Sequence, residues 1–240
     1  MKSYCKLITT LILLMMLSAC GGGDASTGNS TSTDSGDGSN AVKPVKNATI
    51  LVFGDSLSAG YGITGDGTYF QYVTPGNAWA ELLQKRILNE KLNEYASLNV
   101  VNASLGGEFT ASALSRLPSL INIYKPTHIL LAHATNDVLS GLPMSNISNR
   151  LESMVQISQN SGAKVLMLDI TFAYYGIEFA NEYSKLFKDL SVKYNSTYVP
   201  VLDTIFENPT YYAPDYIHLN DLAQPIMTEN VWKKLIPLLE

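Results

Sequence analysis

The stretch Ala48-Thr49-Ile50-Leu51-Val52-Phe53-Gly54-Asp55-Ser56 decides the fold. Residues 48–53 are a short, β-branched, apolar run that stops at Gly54-Asp55-Ser56. A run this short, without clean polar alternation, predicts a strand buried on both faces. Four more runs repeat the idea. Residues 98–101 end at Asn102-Ala103-Ser104, and 128–132 end near Thr135-Asn136-Asp137. Residues 164–168 end at Asp169, and 197–201 end near Asp203.

Between these runs lie amphipathic stretches. Residues 78–92 carry Trp79, Leu82, Leu83, Ile87 and Leu88 at helical spacing, and 146–159, 178–193 and 222–238 are further helices by pattern. Gly162 suits a stop after the 146–159 helix. Pro225 must lie near the start of the last helix, because a mid-helix proline removes a backbone hydrogen bond. Residues 110–124 contain Pro118, which predicts a broken or two-part helix. Strand and helix alternate about five times, which calls for right-handed βαβ crossovers. The expected fold class is therefore α/β: one three-layer α/β/α domain around a flavodoxin-like, doubly wound parallel sheet of about five strands. In such folds ligands bind at the carboxyl ends of the strands, where the polar clusters fall.

Composition narrows the function. The chain has 240 residues, 46% of them hydrophobic, with Lys+Arg 16 against Asp+Glu 21 and a net charge of −5. Mild acidity argues against nucleic acid as a partner, because displacing counterions from phosphates needs a basic face. Two cysteines rule out a disulfide scaffold, and no Cys/His cluster has zinc-ligand spacing.

The first residues read as an address. Lys2 and Lys6 give a basic start, 7–16 is almost wholly apolar, and Leu17-Ser18-Ala19-Cys20 closes it. This is the layout of a secretory signal, too short for a comfortable membrane span. The closing residues resemble a bacterial lipobox. That resemblance implies a signal peptide over 1–19, lipidation of Cys20, and stable attachment to a membrane by several acyl chains. With Gly21 rather than Asp after the cysteine, it implies the outer membrane, facing the periplasm. A plain secretory signal is the alternative. Cys5 would leave with the signal, so no free thiol would remain as a nucleophile. Residues 21–46 are rich in Gly, Ser, Thr, Asn and Asp, cannot bury enough surface to order themselves, and form a linker with an r.m.s. reach of about 25–30 Å. The globular domain is then 47–240.

Four clusters at strand ends carry chemistry. Ser56 follows a buried strand at the turn into a helix, where unpaired N–H groups and a positive dipole end favour a neighbouring oxyanion. Taken alone, such a turn is explained better by a tight turn with an N-cap serine. Asp215-Tyr216-Ile217-His218 supplies the base that a serine hydroxyl needs, with a carboxylate close enough to hold the imidazole tautomer. Without a serine to serve, it is a surface loop. His128 has no carboxylate nearby in sequence, and His133 ends a strand near the site's floor. The glycine-rich turn Asn102-Ala103-Ser104-Leu105-Gly106-Gly107-Glu108 lets backbone N–H approach a substrate, and the Asn136 amide can donate to an oxyanion. Each of these two also reads as an ordinary turn former.

Together these blocks resemble the SGNH hydrolases, also called GDSL esterases/lipases, and more closely the branch of bacterial periplasmic thioesterases, lysophospholipases and arylesterases. The likeness covers about 48 to 239. The blocks are GDSLSAGYG (54–62), NASLGGEFT (102–110), ATND (134–137) and DYIHLNDLAQP (215–225). The resemblance implies that Ser56, His218 and Asp215 are catalytic. It implies an oxyanion hole from the N–H of Ser56, the N–H of Gly107 and the side chain of Asn136, with no metal or cofactor.

The chain departs from the family pattern at Ala134 and Thr135, whose bulk lies beside the oxyanion hole. Tyr216 and Leu219 replace a common small residue and a common proline. Residues 63–76 could form a flap, with Tyr69, Phe70 and Thr135 as candidate substrate contacts, and 172–175 could line the other wall. The expected function is hydrolysis of carboxylic esters, small-molecule or lipid, extending to thioesters or lysophospholipids, through an acyl-serine. A carbohydrate acetylesterase and a non-catalytic envelope lipoprotein are the alternatives.

Overall fold

Five strands form one parallel sheet because each carries apolar side chains on both faces. They are β1 (Lys46–Gly54), β4 (Tyr95–Asn102), β5 (His128–Ala132), β6 (Lys164–Asp169) and β7 (Thr197–Pro200), in the spatial order β4-β1-β5-β6-β7. The computed structural model describes residues 46–63, 69–71, 73–91 and 94–239. The expected signal, the Cys20 acceptor and residues 21–45 of the linker lie outside the described residues. So do 64–68 and 72 of the candidate flap, together with the side chains of Tyr69 and Phe70.

Alternation of side chains along each strand feeds two separate cores. Ile50, Val52, Leu130, Leu166 and Leu168 point to one face, against α2 (Trp79–Lys91) and α7 (Gln224–Leu239). Leu51, Phe53, Ile129, Leu131, Val165 and Met167 point to the other. There they meet α3 (Thr110–Tyr124), α5 (Met144–Asn160) and α6 (Gly176–Lys193). The protein is thus the expected three-layer α/β/α domain. α1 (Ser56–Ala59) and α4 (Thr135–Leu139) are single turns after β1 and β5.

Two features depart from the sequence expectation. Helix α3 runs unbroken through Pro118. The proline sits on the exposed side, while Ala113 and Leu117 are buried on the opposite side, so packing carries the helix past the lost hydrogen bond. Downstream of α1, β2 (Tyr61–Ile63) and β3 (Tyr69–Gln71) pair antiparallel as a separate two-stranded ladder. The sequence predicts no strands there, because three residues are too few to show a period.

The strand order reverses direction at β1: the chain passes outward to β4, then returns to β5 on the other side. The carboxyl ends of β4, β1 and β5 therefore enclose the crevice where doubly wound sheets take ligands. Ser56, Gly107 and Asn136 all lie just beyond those ends.

Candidate active site

Ser56 occupies the first position of α1, held by the turn that precedes it. Asp55, fully buried, caps α1 by accepting from the Leu57 N–H at 3.1 Å. The Trp79 indole donates to the Leu57 carbonyl at 3.2 Å and fixes α1 against α2. The Leu105 N–H donates to the Gly54 carbonyl at 3.0 Å, and the Asn102 amide to the Ser58 carbonyl at 2.9 Å. Those bonds lash the β4 exit loop to the β1 turn.

His218 lies 162 residues away in sequence, yet its Nε2 is 2.9 Å from Ser56 Oγ. On the other side of the ring, Nδ1 is 2.6 Å from Asp215 Oδ2. Asp215 Oδ1 accepts from the N–H groups of Ile217 and His218 at 2.9 and 3.0 Å. Burial alone would raise the Asp215 carboxyl; the His218 ring and the two N–H donors hold it below the usual carboxylate range. The loop is held by its own hydrogen bonds. Ala213 N–H donates to the His218 carbonyl at 2.8 Å, and the Asn220 amide donates to the carbonyls of Thr210 and Tyr212. Gln224 accepts from the Trp79 N–H at 3.0 Å and donates to the Leu219 carbonyl at 3.0 Å. One glutamine at the start of α7 thus ties the histidine loop to the helix that braces the serine turn.

Gly107 has φ 75°, and a Cβ built on it meets no protein atom within 4 Å. Its need for glycine is conformational. The Asn136 amide donates to the Glu108 carbonyl at 3.0 Å, which joins the β5 exit to the β4 exit loop. Thr135 is buried, close to the buried side chains of Asp55 and Tyr183.

Sequence reasoning missed the supports behind this arrangement. Glu108 accepts from Arg116 Nε at 2.9 Å and Nη2 at 2.5 Å, and lies 3.0 Å from His133 Nε2. His133 is fully buried and its ring centroid lies 4.5 Å from that of Phe53. It is a buttress below the β4 exit loop, out of reach of solvent. Asp137 is fully buried and caps α3 from outside it, accepting from the Thr110 N–H at 2.7 Å and its hydroxyl at 2.6 Å. The one signal for these in the sequence is a set of charged residues inside apolar runs. His128 sits at the other end of β5, bonded to Thr127 and to the Leu238 carbonyl, with burial depressing its pKa.

A serine hydroxyl, an imidazole and a carboxylate in one hydrogen-bonded chain can activate the hydroxyl for attack on a carbonyl. The GDSL-like Lipase/Acylhydrolase family model matches residues 52–224. The chain belongs to that family. It is an ester hydrolase of the SGNH/GDSL type. Esterase TesA of Pseudomonas aeruginosa is 34% identical over 194 residues, which cover 80% of this chain and 89% of the relative. Thioesterase 1/protease 1/lysophospholipase L1 of Escherichia coli is 30% identical over 192 residues, covering 79% and 84%. The crystal structure of TesA aligns with a TM-score of 0.69 at 34% identity, over 79% of this chain and 99% of that one.

Proposed function

We propose that Ser56 is the nucleophile of an acyl-transfer reaction with Asp215 and His218 as its partners. The observation that carries this reading is the chain Asp215–His218–Ser56, with links of 2.6 and 2.9 Å. Ser56 Oγ attacks the ester carbonyl carbon while His218 Nε2 takes its proton. The tetrahedral oxyanion is held by the N–H groups of Ser56 and Gly107 and by Asn136 Nδ2. The oxyanion collapses, the leaving oxygen takes the proton from His218, and an acyl-serine remains. A water molecule, losing its proton to His218, attacks the acyl carbon and returns Ser56 to its hydroxyl form. Asp215 orients the ring and stabilises its positive form.

A longer acyl chain suits the site better than acetate. An apolar cavity of about 380 Å³, lined by Val138, Gly141, Leu142, Met144, Tyr175 and Phe179, opens beside the helix that carries Asn136. It is far larger than an acetyl methyl requires, and apolar pockets reward buried methylenes at ~0.8 kcal/mol each. This favours carboxylic esters with apolar acyl groups over a carbohydrate acetylesterase reading. We also assign residues 1–19 as a signal peptide and Cys20 as the lipid acceptor. In this reading the enzyme is tethered in the cell envelope, on the outer membrane. Among the described residues no helix is long and apolar enough to cross a membrane.

Hydrolysis of p-nitrophenyl esters from acetate to palmitate tests the chemistry. The wild type is expected to turn over the series with an optimum beyond acetate. Ser56→Ala is expected to lose at least ~10³-fold in kcat and all labelling by a fluorophosphonate. Equal labelling of both proteins would refute Ser56 as nucleophile.

A further inference from the structure

Exposed large apolar side chains gather on the sheet edge that carries the active site. Leu105 and Phe109 follow β4, Tyr174 and Tyr175 follow β6, and Tyr216 and Leu222 flank His218. All strands of the sheet run parallel, so every loop leaving a carboxyl end lies on this one edge. Tyr174 is 56% exposed, Tyr216 54% and Leu222 60%. The other exposed apolar residues of this size among the described residues are Leu88, Ile123, Tyr124, Ile177 and Val192. Of these, Ile177 opens α6 on the same edge; the rest are scattered over helices elsewhere.

The charge of this edge is equally uneven. Residues 55–60, 73–78, 103–109, 133–143, 170–175 and 201–223, which form its described loops, contain no lysine or arginine. Of its exposed carboxylates, Asp215 is bonded to His218 and Asp221 to Thr74, while Asp203 and Glu207 follow the edge strand β7. Basic heads reach these loops from helices alone: Lys85 Nζ donates to the Gly76 carbonyl at 2.6 Å, and Arg116 and Arg150 are paired with Glu108 and Asp137. An apolar rim with tyrosine hydroxyls, whose loops carry no lysine or arginine of their own, fits a lipid interface better than an anionic polymer or headgroup.

We infer that this rim docks the enzyme on an uncharged or zwitterionic lipid surface, with Ser56 held at the interface. The inference rests on the esterase reading above and names its substrate: an ester drawn from the lipid layer rather than from solution. Three observations select a lipid layer as the occupant. The rim is continuous with the mouth of the site, so whatever covers it must also deliver substrate to Ser56. The apolar cavity beside α4 is lined by Tyr175 of the same rim, so an acyl chain leaving the layer meets further apolar surface there. The linker also permits the geometry. It joins β1 at Lys46, at the amino edge, and β1 spans about 30 Å. Fully extended, residues 21–46 reach about 90 Å, so a chain anchored at Cys20 can turn its carboxyl edge to the membrane.

The test uses the processed chain, residues 20–240, carrying Cys20→Ser so that no acyl anchor contributes. Its co-sedimentation with phosphatidylcholine vesicles is measured beside that of the added double variant Ile177→Asp/Leu222→Asp, two exposed residues of this edge outside the substrate walls. The parent is expected to sediment with the vesicles and the double variant to stay in solution. On p-nitrophenyl acetate the two are expected to agree within about twofold. On lysophosphatidylcholine carried in the vesicles the double variant is expected to lose at least tenfold. If the double variant fails to fold, Ile177→Ser/Leu222→Ser replaces it. A parent that stays in solution, or a variant that binds as the parent does, overturns the proposal. Self-association of the parent that the same double variant abolishes also overturns it, in favour of a dimer face. Sedimentation is read without turnover, so a parent that binds vesicles but hydrolyses no ester would refute the esterase reading instead.

Discussion

Ala134 has φ 137° and Tyr216 has φ 57°, backbone states that cost a non-glycine residue about 1–2 kcal/mol each. Both sit where the site bends the chain hardest. At Tyr216 the loop doubles back so that Asp215 can reach the ring and the N–H of its own neighbour His218. At Ala134 the chain leaves β5 and turns into the helix that presents Asn136. On the proposed reading Asn136→Ala removes one oxyanion donor, and kcat is expected to fall about 10²–10³-fold with KM for a short ester little changed. A kcat within threefold of wild type would remove Asn136 from the oxyanion hole.

Asp55 gives a pH prediction. Burial raises its carboxyl above the ordinary 3.8, against the opposing pull of His133, the Leu57 N–H, Thr135 and His218. A raised carboxyl pKa means the fold holds the proton more tightly than the unfolded chain does. Its stabilising contribution is full below the unfolded pKa and is lost as pH rises through the raised value. Asp55→Asn keeps a side-chain oxygen to cap α1 and removes the charge. Its Tm relative to wild type is therefore expected to rise between about pH 3 and pH 7. A gap that closes over that range would show that Asp55 is stabilised as an anion.

Among the elements, α3 shows a cap supplied by another part of the chain. Its own N-cap residue, Phe109, offers no side-chain acceptor. Asp137, on α4, accepts from the N–H and hydroxyl of Thr110 and from Arg150 of α5 at 3.0 Å. One buried carboxylate therefore joins three helices directly beneath the oxyanion loops. Asp137→Ala leaves the Thr110 N–H and a half-buried guanidinium without their acceptor, at a cost of about 2–4 kcal/mol. The urea midpoint measures this. Asp137→Asn, which keeps the oxygen, is expected to recover part of the loss; an alanine variant as stable as wild type would show that the cap is dispensable.

Over the whole molecule, the sheet divides the apolar interior into two cores, one on each face, with Ile217 packed against both. Leu151 of α5 and Leu235 of α7 are fully buried on opposite faces. Leu151→Ala and Leu235→Ala should each cost about 2–5 kcal/mol. Their double mutant should equal the sum within about 0.5 kcal/mol, measured by urea unfolding. Coupling well above that would mean that strain passes through the sheet. The same two-sided burial anchors the loops of the candidate site: each leaves a strand clamped from above and below, and the β1, β4 and β5 exits are bonded to one another.

The five strands, four of the helices and the α/β order were legible in the sequence because burial on both faces leaves an apolar run, and burial on one face leaves a helical period. The serine, histidine, aspartate, glycine and asparagine of the candidate site were legible because their types and order are unusual at strand ends. Their meeting rested on the resemblance alone: Ser56 and His218 are 162 residues apart, and packing of α2 on α7, with Gln224 bonded to Trp79 and Asp221 to Thr74, brings them to 2.9 Å. The unbroken course of α3 through Pro118 was decided by packing, which local propensity does not contain. The pairing of Glu108 with Arg116 and His133 was likewise hidden, since a buried ion cluster has no period along the chain. Nor does a sequence show which apolar residues stay outside. Residue type alone would bury Tyr174, Tyr216 and Leu222; the parallel sheet, by sending every outgoing loop to one edge, leaves them around the mouth of the site.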